Sequence, residues 1–187
     1  MNTDTETKNM KDIATTSDTL STLKDFEGLY LDPIKVKLAD NKHGDGWSHE
    51  KIETVATMYR RFLTLTRENP EATIVPTEAI DEFWHCHILD TAKYAADCEE
   101  YFGYFLHHFP YLGLRGEEDV QRLADAFANT ALLYEARFGE TLTIAKNLSV
   151  ADCSAGCGSV VCSVGSCTDD ALEENERPKY IPMIAAA

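Results

Sequence analysis

Asp81-Glu-Phe-Trp-His-Cys-His-Ile-Leu-Asp90, near the middle of the chain, is the stretch that decides the fold. Its apolar side chains recur every three or four residues, the spacing that places them on one face of an α-helix. Thr77 can cap the start of this helix, and Asp90-Thr91 can begin a second helix that ends at Gly103. The stretch therefore predicts two consecutive helices with a break at Leu89.

Helical patterns continue on both sides of this pair. Ser48 precedes an amphipathic stripe that ends at Asn69-Pro70, and Asp32-Pro33 begins a shorter helix with a first-turn proline. Downstream, an acidic first turn at Glu117 starts another apolar stripe, which ends at Gly139. The sequence therefore predicts helices on both sides of the central pair.

Composition divides the chain into three parts. Residues 1–17 are polar and lack periodicity, so we predict a disordered N-terminal arm. Residues 18–145 carry the helical patterns, interrupted at 104–116 by an irregular aromatic stretch, and predict an all-α fold, a small irregular helical bundle. Residues 146–187 are predicted to form a flexible C-terminal tail rich in Cys, Gly and Ser.

The charge balance argues against two classes of partner. With 17 basic and 32 acidic residues the formal net charge is −15, whereas binding to nucleic acid or to an anionic membrane depends on basic patches. No apolar run is long enough for a membrane-spanning helix, and the polar first residues do not resemble a secretory signal. We therefore expect a cytoplasmic protein with no nucleic-acid or membrane partner, whose acidic surface could recruit a basic protein.

The central stretch also carries the strongest functional signal, because it and the aromatic stretch hold four of the six histidines. Imidazole and carboxylate groups are ligands of transition metals. Asp81 and His85 are four residues apart and so share a helix face. We predict a zinc or iron site with an open position for water activation. Its candidate ligands are Asp81, His85, His87 and one of His107 or His108.

The two histidines of the central stretch pose a geometric problem. On one unbroken helix His85 and His87 would point about 200° apart, because each residue turns the helix by about 100°. Either the helix breaks near Ile88–Asp90 and turns both rings to one side, or the two rings have different roles. His107 and His108 are adjacent in sequence, so we expect only one of them to face inward.

A structural role is the alternative for these histidines. Trp84, Tyr94, Phe102 and Tyr104 could form an aromatic core in which the imidazoles are merely hydrogen-bonded neighbours. If the metal site exists, a second set of side chains would orient its ligands. The candidates for that orienting role are Trp84, Asp90 and Tyr94.

The central motif resembles the glycine-rich domain-containing protein-like family, which is known from plants and bacteria. The residues that carry the resemblance are Asp81-x-x-Trp84-His85-x-His87-Ile-Leu-Asp90, then Tyr94, Cys98, Phe102-Gly103 and His107-His108-x-Pro110. It extends over roughly residues 30–140, and the Trp-His-x-His-x-x-Asp element is its most specific piece. The family is largely uncharacterised. The resemblance therefore implies a shared domain and a joint importance of His85, His87 and Asp90, but no reaction.

Four cysteines in the tail form a second candidate site, in the order Cys153-x3-Cys157-x4-Cys162-x4-Cys167. Four thiolates could hold zinc, copper(I) or an iron–sulfur cluster. The spacing differs from the common C-x2-C pairs, and the alternative is a low-complexity tail with reactive thiols. A third interpretation is the precursor of a post-translationally modified peptide, because a folded front precedes a Cys- and Ser-rich segment.

These observations support three hypotheses of function. The first is a soluble metal-binding protein with a His/Asp site in the helical domain and a thiol-rich tail. The second is a metal-dependent enzyme that acts at the His85/His87 site. No phosphate-binding glycine loop, nucleophile elbow or H-E-x-x-H motif is visible, so catalysis and any small-molecule substrate stay open. The third is a non-catalytic interaction module that binds no metal.

Overall fold

The computed structural model describes residues 23–42, 44–142 and 163–164. Within these residues the fold is all-α, as predicted, with a short 3-10 helix at Phe26–Gly28 followed by five α-helices. The helices are α1 (Asp32–Ala39), α2 (His49–Glu68), α3 (Glu78–Leu89), α4 (Thr91–Phe102) and α5 (Glu117–Phe138).

Local caps set the ends of the central helices. Ser48 accepts a hydrogen bond from the backbone N–H of Lys51 at 3.2 Å, and Thr77 accepts one from the N–H of Ile80 at 3.4 Å. Each cap satisfies a first-turn N–H that has no partner within its helix. Gly103 ends α4 in the left-handed conformation, with φ of 75°, which glycine adopts without strain. These three predicted caps are confirmed, whereas the Asp90 side chain makes no capping hydrogen bond at the start of α4 and Leu31, not Asp32, is the N-cap of α1.

Helix α3 lies at the centre of the bundle, where it packs on α1, α2 and α4. Its Phe83 and Trp84 are fully buried. The Phe83 ring lies 5.1 Å from the ring of Tyr59, and the Trp84 ring lies 5.3 Å from that of Phe62, both on α2. Each such side chain contributes about 1.5–3 kcal/mol by leaving water. These two ring contacts therefore hold α3 firmly against α2.

The predicted break between α3 and α4 is present at Asp90. Helix α3 ends at Leu89, and the backbone N–H of Asp90 donates to the carbonyl of His87 at 3.1 Å. The break therefore comes after His87. As a result His85 and His87 lie on one uninterrupted helix and leave it in different directions.

A pair of two-residue strands lies beyond α4. Strand β1 (His108–Phe109) pairs antiparallel with β2 (Ser163–Val164), so that His108 lies opposite Val164 and Phe109 opposite Ser163. The sequence predicts only an irregular stretch at 104–116, because two residues are too few to show the alternation of a strand. Pro110 follows β1 and has no backbone N–H with which to extend the pairing.

Some predictions fall on residues that the structure does not describe. These are the disordered arm at 1–17 and the tail thiols, so the domain boundaries at 17 and 145 stay predictions. No helix in the described part of the chain has the length and apolar character needed to cross a membrane. The cysteines outside the described residues are Cys153, Cys157, Cys162 and Cys167.

Asp119 ties the aromatic stretch to the start of α5. Its Oδ2 accepts hydrogen bonds from the backbone N–H of Gly113 at 2.6 Å and of Arg115 at 3.2 Å. Its Oδ1 accepts one from the Arg115 guanidinium at 2.7 Å. The guanidinium and the two N–H groups hold the pKa of Asp119 below its ordinary value, although burial alone would raise it. This contact fixes the far end of the stretch that carries His108.

Asp119→Asn is expected to lower the free energy of unfolding by about 1–3 kcal/mol at neutral pH, because charge-assisted hydrogen bonds are lost. The folded pKa lies below the unfolded value of about 3.9, so this contribution is present above pH 3.9 and is lost as the pH falls through the folded pKa. Urea unfolding at pH 7 and at about pH 3 measures the difference between the wild-type protein and the variant.

The matched control is Asp125→Asn on the same helix. Asp125 is exposed and accepts a hydrogen bond from Gln121, so its replacement is expected to change stability by less than about 0.5 kcal/mol. A destabilisation by Asp119→Asn that is equally large at both pH values would contradict the assignment to the carboxylate charge.

Candidate metal site

Asp81, His85 and His108 bring three metal-binding groups together. The Nε2 atoms of the two imidazoles are 2.9 Å apart. The Asp81 carboxylate faces both rings, with Oδ2 at 3.6 Å from His85 Nε2 and Oδ1 at 3.4 Å from His108 Nε2. One ligand atom from each residue lies within 4.8 Å of the other two. These three side chains could therefore hold one metal ion.

The local structure explains why the three groups meet. Asp81 and His85 are one turn apart on α3 and project from the same face. His108 arrives from β1, and its ring meets the buried Trp84 ring edge-on at a centroid distance of 4.6 Å. The His108 ring also lies 4.6 Å from that of His85. One helix thus supplies two candidate ligands and the aromatic surface against which the third rests.

A hydrogen-bond chain fixes the backbone that leads to His108. The Nε1–H of Trp84 donates to the Tyr94 hydroxyl oxygen at 3.0 Å, and that hydroxyl donates to the carbonyl of Leu106 at 2.6 Å. All three residues are buried. Because Leu106 is two residues before His108, these hydrogen bonds limit where the His108 ring can lie. This is the kind of support through which outer residues orient metal ligands.

The spacing of the three groups suits a first-row transition metal. Ligand atoms that each lie about 2.0–2.1 Å from a zinc ion are about 2.9–3.4 Å from one another at octahedral or tetrahedral angles. The Nε2–Nε2 separation of 2.9 Å falls in that range, and the carboxylate separations of 3.4 Å (Oδ1 to His108) and 3.6 Å (Oδ2 to His85) lie in or close to it but involve different oxygens. Two facing Nε2 atoms can share only one hydrogen bond, in which one ring donates and the other accepts. A metal ion would instead engage a lone pair on each nitrogen.

Burial differs across the cluster. The side chain of His85 is 47% exposed, whereas those of Asp81 and His108 are 10% and 12% exposed. Partial burial lowers the pKa of His85, and the positive form of nearby His108 lowers it further, although Asp81 opposes this shift. The neutral ring, which is the form that binds metals, is thereby favoured. The exposed side of His85 is the side from which water could reach a bound ion.

His87 lies outside this cluster, although the sequence placed it in the candidate ligand set. It is buried, with Nδ1 at 2.9 Å from the Tyr59 hydroxyl and Nε2 at 2.9 Å from Asp97 Oδ2. Lys93 also donates to that oxygen, at 2.6 Å. Both ring nitrogens of His87 therefore have partners in the bundle interior. The sequence left two alternatives open: both rings turned to one side, or two rings with different roles. This geometry matches the second alternative.

The hydrogen-bond partners of His87 indicate which of its ring nitrogens donates and which accepts. Burial alone would raise the pKa of Asp97, but the hydrogen bonds from His87 and Lys93 outweigh it and the net shift is downward. The ionised carboxylate can only accept, so His87 Nε2 carries a proton and donates to it. Burial raises the pKa of Tyr59, which stays a phenol. In the neutral ring, Nδ1 accepts the Tyr59 O–H.

The remaining candidate residues lie in three different environments. His107 is exposed and its ring packs on Phe105 at 5.0 Å, so one member of the His107-His108 pair faces inward, as expected. Asp90 is exposed at the junction of α3 and α4, and its side chain makes no capping hydrogen bond. Trp84, Tyr94 and Phe102 are buried, as an aromatic core requires, whereas Tyr104 is 41% exposed.

Sequence reasoning missed the residues that surround His87. Tyr59 looks like one more apolar position on the stripe of α2, and nothing in the sequence pairs it with His87. Lys93 and Asp97 are four residues apart on α4, which is a detectable ion-pair spacing. That signal could have placed a charged pair on one face of α4, but not a histidine against it.

The comparisons with known proteins establish a family and no activity. The family model described as UCP032817-like matches residues 26–128, more than half of the chain, and the chain therefore belongs to this family. The matched region includes Asp81, His85 and His108. Its description mentions no glycine-rich domain, so the resemblance to glycine-rich domain-containing proteins stays a prediction. No curated protein and no solved structure matches the chain.

Proposed function

We propose that this member of the UCP032817-like family binds one divalent transition-metal ion, zinc or iron, through Asp81, His85 and His108. The observation that carries the proposal is the convergence of one ligand atom from each side chain within 4.8 Å. Two imidazoles and one carboxylate are the ligand set of many catalytic zinc sites and of non-haem Fe(II) sites. His87 is left out because both of its ring nitrogens have other partners.

A metal-dependent enzyme is the second candidate function. The exposed edge of His85 favours it, because a site with three protein ligands and a solvent-facing side leaves a position for water or substrate. A metal ion bound there would lower the pKa of a coordinated water. Asp81 and the two histidines would act as ligands in such a reaction, and its substrate is not specified by these residues.

Three features of the sequence extend the proposal beyond the Asp81, His85 and His108 site. The tail thiols are proposed as a second site for zinc or copper. A reducing cytoplasmic location would keep these thiols free of disulfides. The net charge of −15 would favour a basic protein partner. The central motif supports kinship with glycine-rich domain-containing proteins. The proposed tail ligands are Cys153, Cys157, Cys162 and Cys167.

Metal content tests the proposal directly. Full-length protein in which the four tail cysteines are replaced by serine is purified without a metal-affinity tag, loaded with Zn²⁺, dialysed and assayed by elemental mass spectrometry. About one equivalent is expected to remain. His85→Ala and His108→Ala are each expected to weaken binding at least about 100-fold, more than the loss of an outer partner does.

His107→Ala is the matched control, because it removes an imidazole one residue from His108 that faces solvent. It is expected to retain the full equivalent. Retention of zinc by both His85→Ala and His108→Ala would overturn the proposal. Equal loss from His107→Ala would point instead to nonspecific binding by surface histidines.

A further inference from the structure

The pairing of β1 with β2 brings a second polypeptide segment to the metal site. His108 contributes to both features, since its imidazole belongs to the cluster with Asp81 and its backbone lies opposite Val164 in the strand pair. Paired strands lie about 4.7–4.9 Å apart. Any extended segment on β1 therefore runs directly beside a proposed metal ligand.

We propose that the ligand or substrate class of this metal site is an extended peptide strand, held by backbone pairing along β1. In this chain the Ser163–Val164 segment occupies that place and competes with other peptides. The inference rests on the proposed metal binding, because it names the ligand of that metal site. The strand pairing itself is observed independently of any metal. Peptide binding by strand addition uses main-chain hydrogen bonds for affinity and alternate side chains for specificity.

The surroundings of β1 suit a peptide. The residues before it expose Tyr104 and Phe105, and His107 packs on the Phe105 ring. Exposed aromatic side chains are common in peptide-binding and protein-binding surfaces. The segment at 158–168 contains no charged residue, so the strongly acidic chain does not repel it. Apolar aromatic surface and an uncharged strand are therefore compatible partners.

The strand register determines which position of a bound peptide lies on the same face as the proposed metal site. In an antiparallel pair, directly opposite residues project from the same face, and the next residue projects from the other face. The position opposite His108 is thus on the face that carries the imidazole, and the position opposite Phe109 is not. A metal-binding side chain should reach the ion from the first position only.

Peptide binding to the full-length chain tests the strand. A labelled peptide with the sequence of residues 158–168, carrying C162S and C167S, is titrated and followed by fluorescence anisotropy. S163P/V164P in the protein removes the backbone N–H groups of the internal strand and is expected to tighten peptide binding at least tenfold, because a tethered competitor has an effective concentration near the millimolar range. S163A/V164A keeps those N–H groups and is expected to match the wild-type chain.

Cobalt substitution connects the peptide to the metal. With Co²⁺ bound to the S163P/V164P chain in which the four tail cysteines are also replaced by serine, a peptide that carries V164H is expected to change the visible absorption spectrum, and a peptide that carries S163H is not. Equal spectral changes with both peptides would overturn the register. Equal or absent peptide binding in all three chains would overturn the strand proposal while zinc retention stands. If the S163P/V164P chain binds the peptide more tightly but retains no metal, the strand proposal stands and the metal proposal is overturned.

Discussion

Trp84→Ala is expected to lower the free energy of unfolding by about 3–5 kcal/mol, the range for truncating a large buried aromatic side chain. Trp84 is 0% exposed and packs on the ring of Phe62. It also packs on the His108 ring and donates to the Tyr94 hydroxyl. Alanine removes all three contacts and leaves a cavity between α2, α3 and the aromatic stretch. Urea denaturation followed by far-ultraviolet circular dichroism measures the loss.

The same variant is expected to weaken metal binding by about 10–100-fold, as the loss of an outer partner does. Trp84→Phe keeps an aromatic ring beside His108 but removes the indole N–H, so a smaller loss of about 1–3 kcal/mol is expected. Leu132→Ala is the exposed control, because Leu132 is 68% exposed on α5 and should change stability by less than about 0.5 kcal/mol. A loss below 1 kcal/mol for Trp84→Ala would contradict the central role of this side chain.

The helices were predictable because their signals are local. Ser48, Thr77 and Gly103 act within one turn of their own positions, and the structure shows each at the predicted helix end. The stripe spacing of three and four residues depends only on the helical repeat. Strand β1 was not predictable in the same way, since its partner lies on β2, more than fifty residues later. Pairing over such a distance leaves no short-range pattern in either strand.

The candidate metal site was predictable only in part. The four-residue spacing of Asp81 and His85 correctly indicates a shared helix face, and the angle between His85 and His87 correctly raises the alternative of separate roles. No spacing rule decides between His107 and His108. That choice depends on how the stretch after α4 folds back on Trp84, which is a tertiary contact.

Helix α3 therefore carries two polar systems on different sides. Asp81 and His85 lie at its edge, with a solvent-facing side, and His87 points into the bundle toward Asp97. Buried polar groups cost free energy unless they are hydrogen-bonded. The network around His87 meets that requirement through its neighbours, and it holds α2, α3 and α4 together. The cluster of Asp81, His85 and His108 is open to solvent only on the His85 side, which suits a site that exchanges ligands with solvent.

His87→Ala is expected to lower the free energy of unfolding by about 3 kcal/mol, because a buried cavity forms and hydrogen bonds to Tyr59 and Asp97 are lost. At a protein concentration and temperature at which the variant remains folded, zinc binding is expected to be unchanged within about threefold. The reason is that Asp81, His85 and His108 keep their contacts. Urea unfolding of the metal-free protein and zinc titration of the folded protein, both with the four tail cysteines replaced by serine, measure the two effects separately.

His85→Ala should give the opposite pair of results. Its side chain is half exposed, so the metal-free variant should unfold within about 0.5 kcal/mol of the wild-type protein, while zinc affinity falls at least about 100-fold. The two variants change histidines only two residues apart on one helix, so helix propensity is matched between them. If His87→Ala lost zinc as completely as His85→Ala while remaining folded, His87 would belong to the metal site and the separation of the two systems on α3 would be wrong.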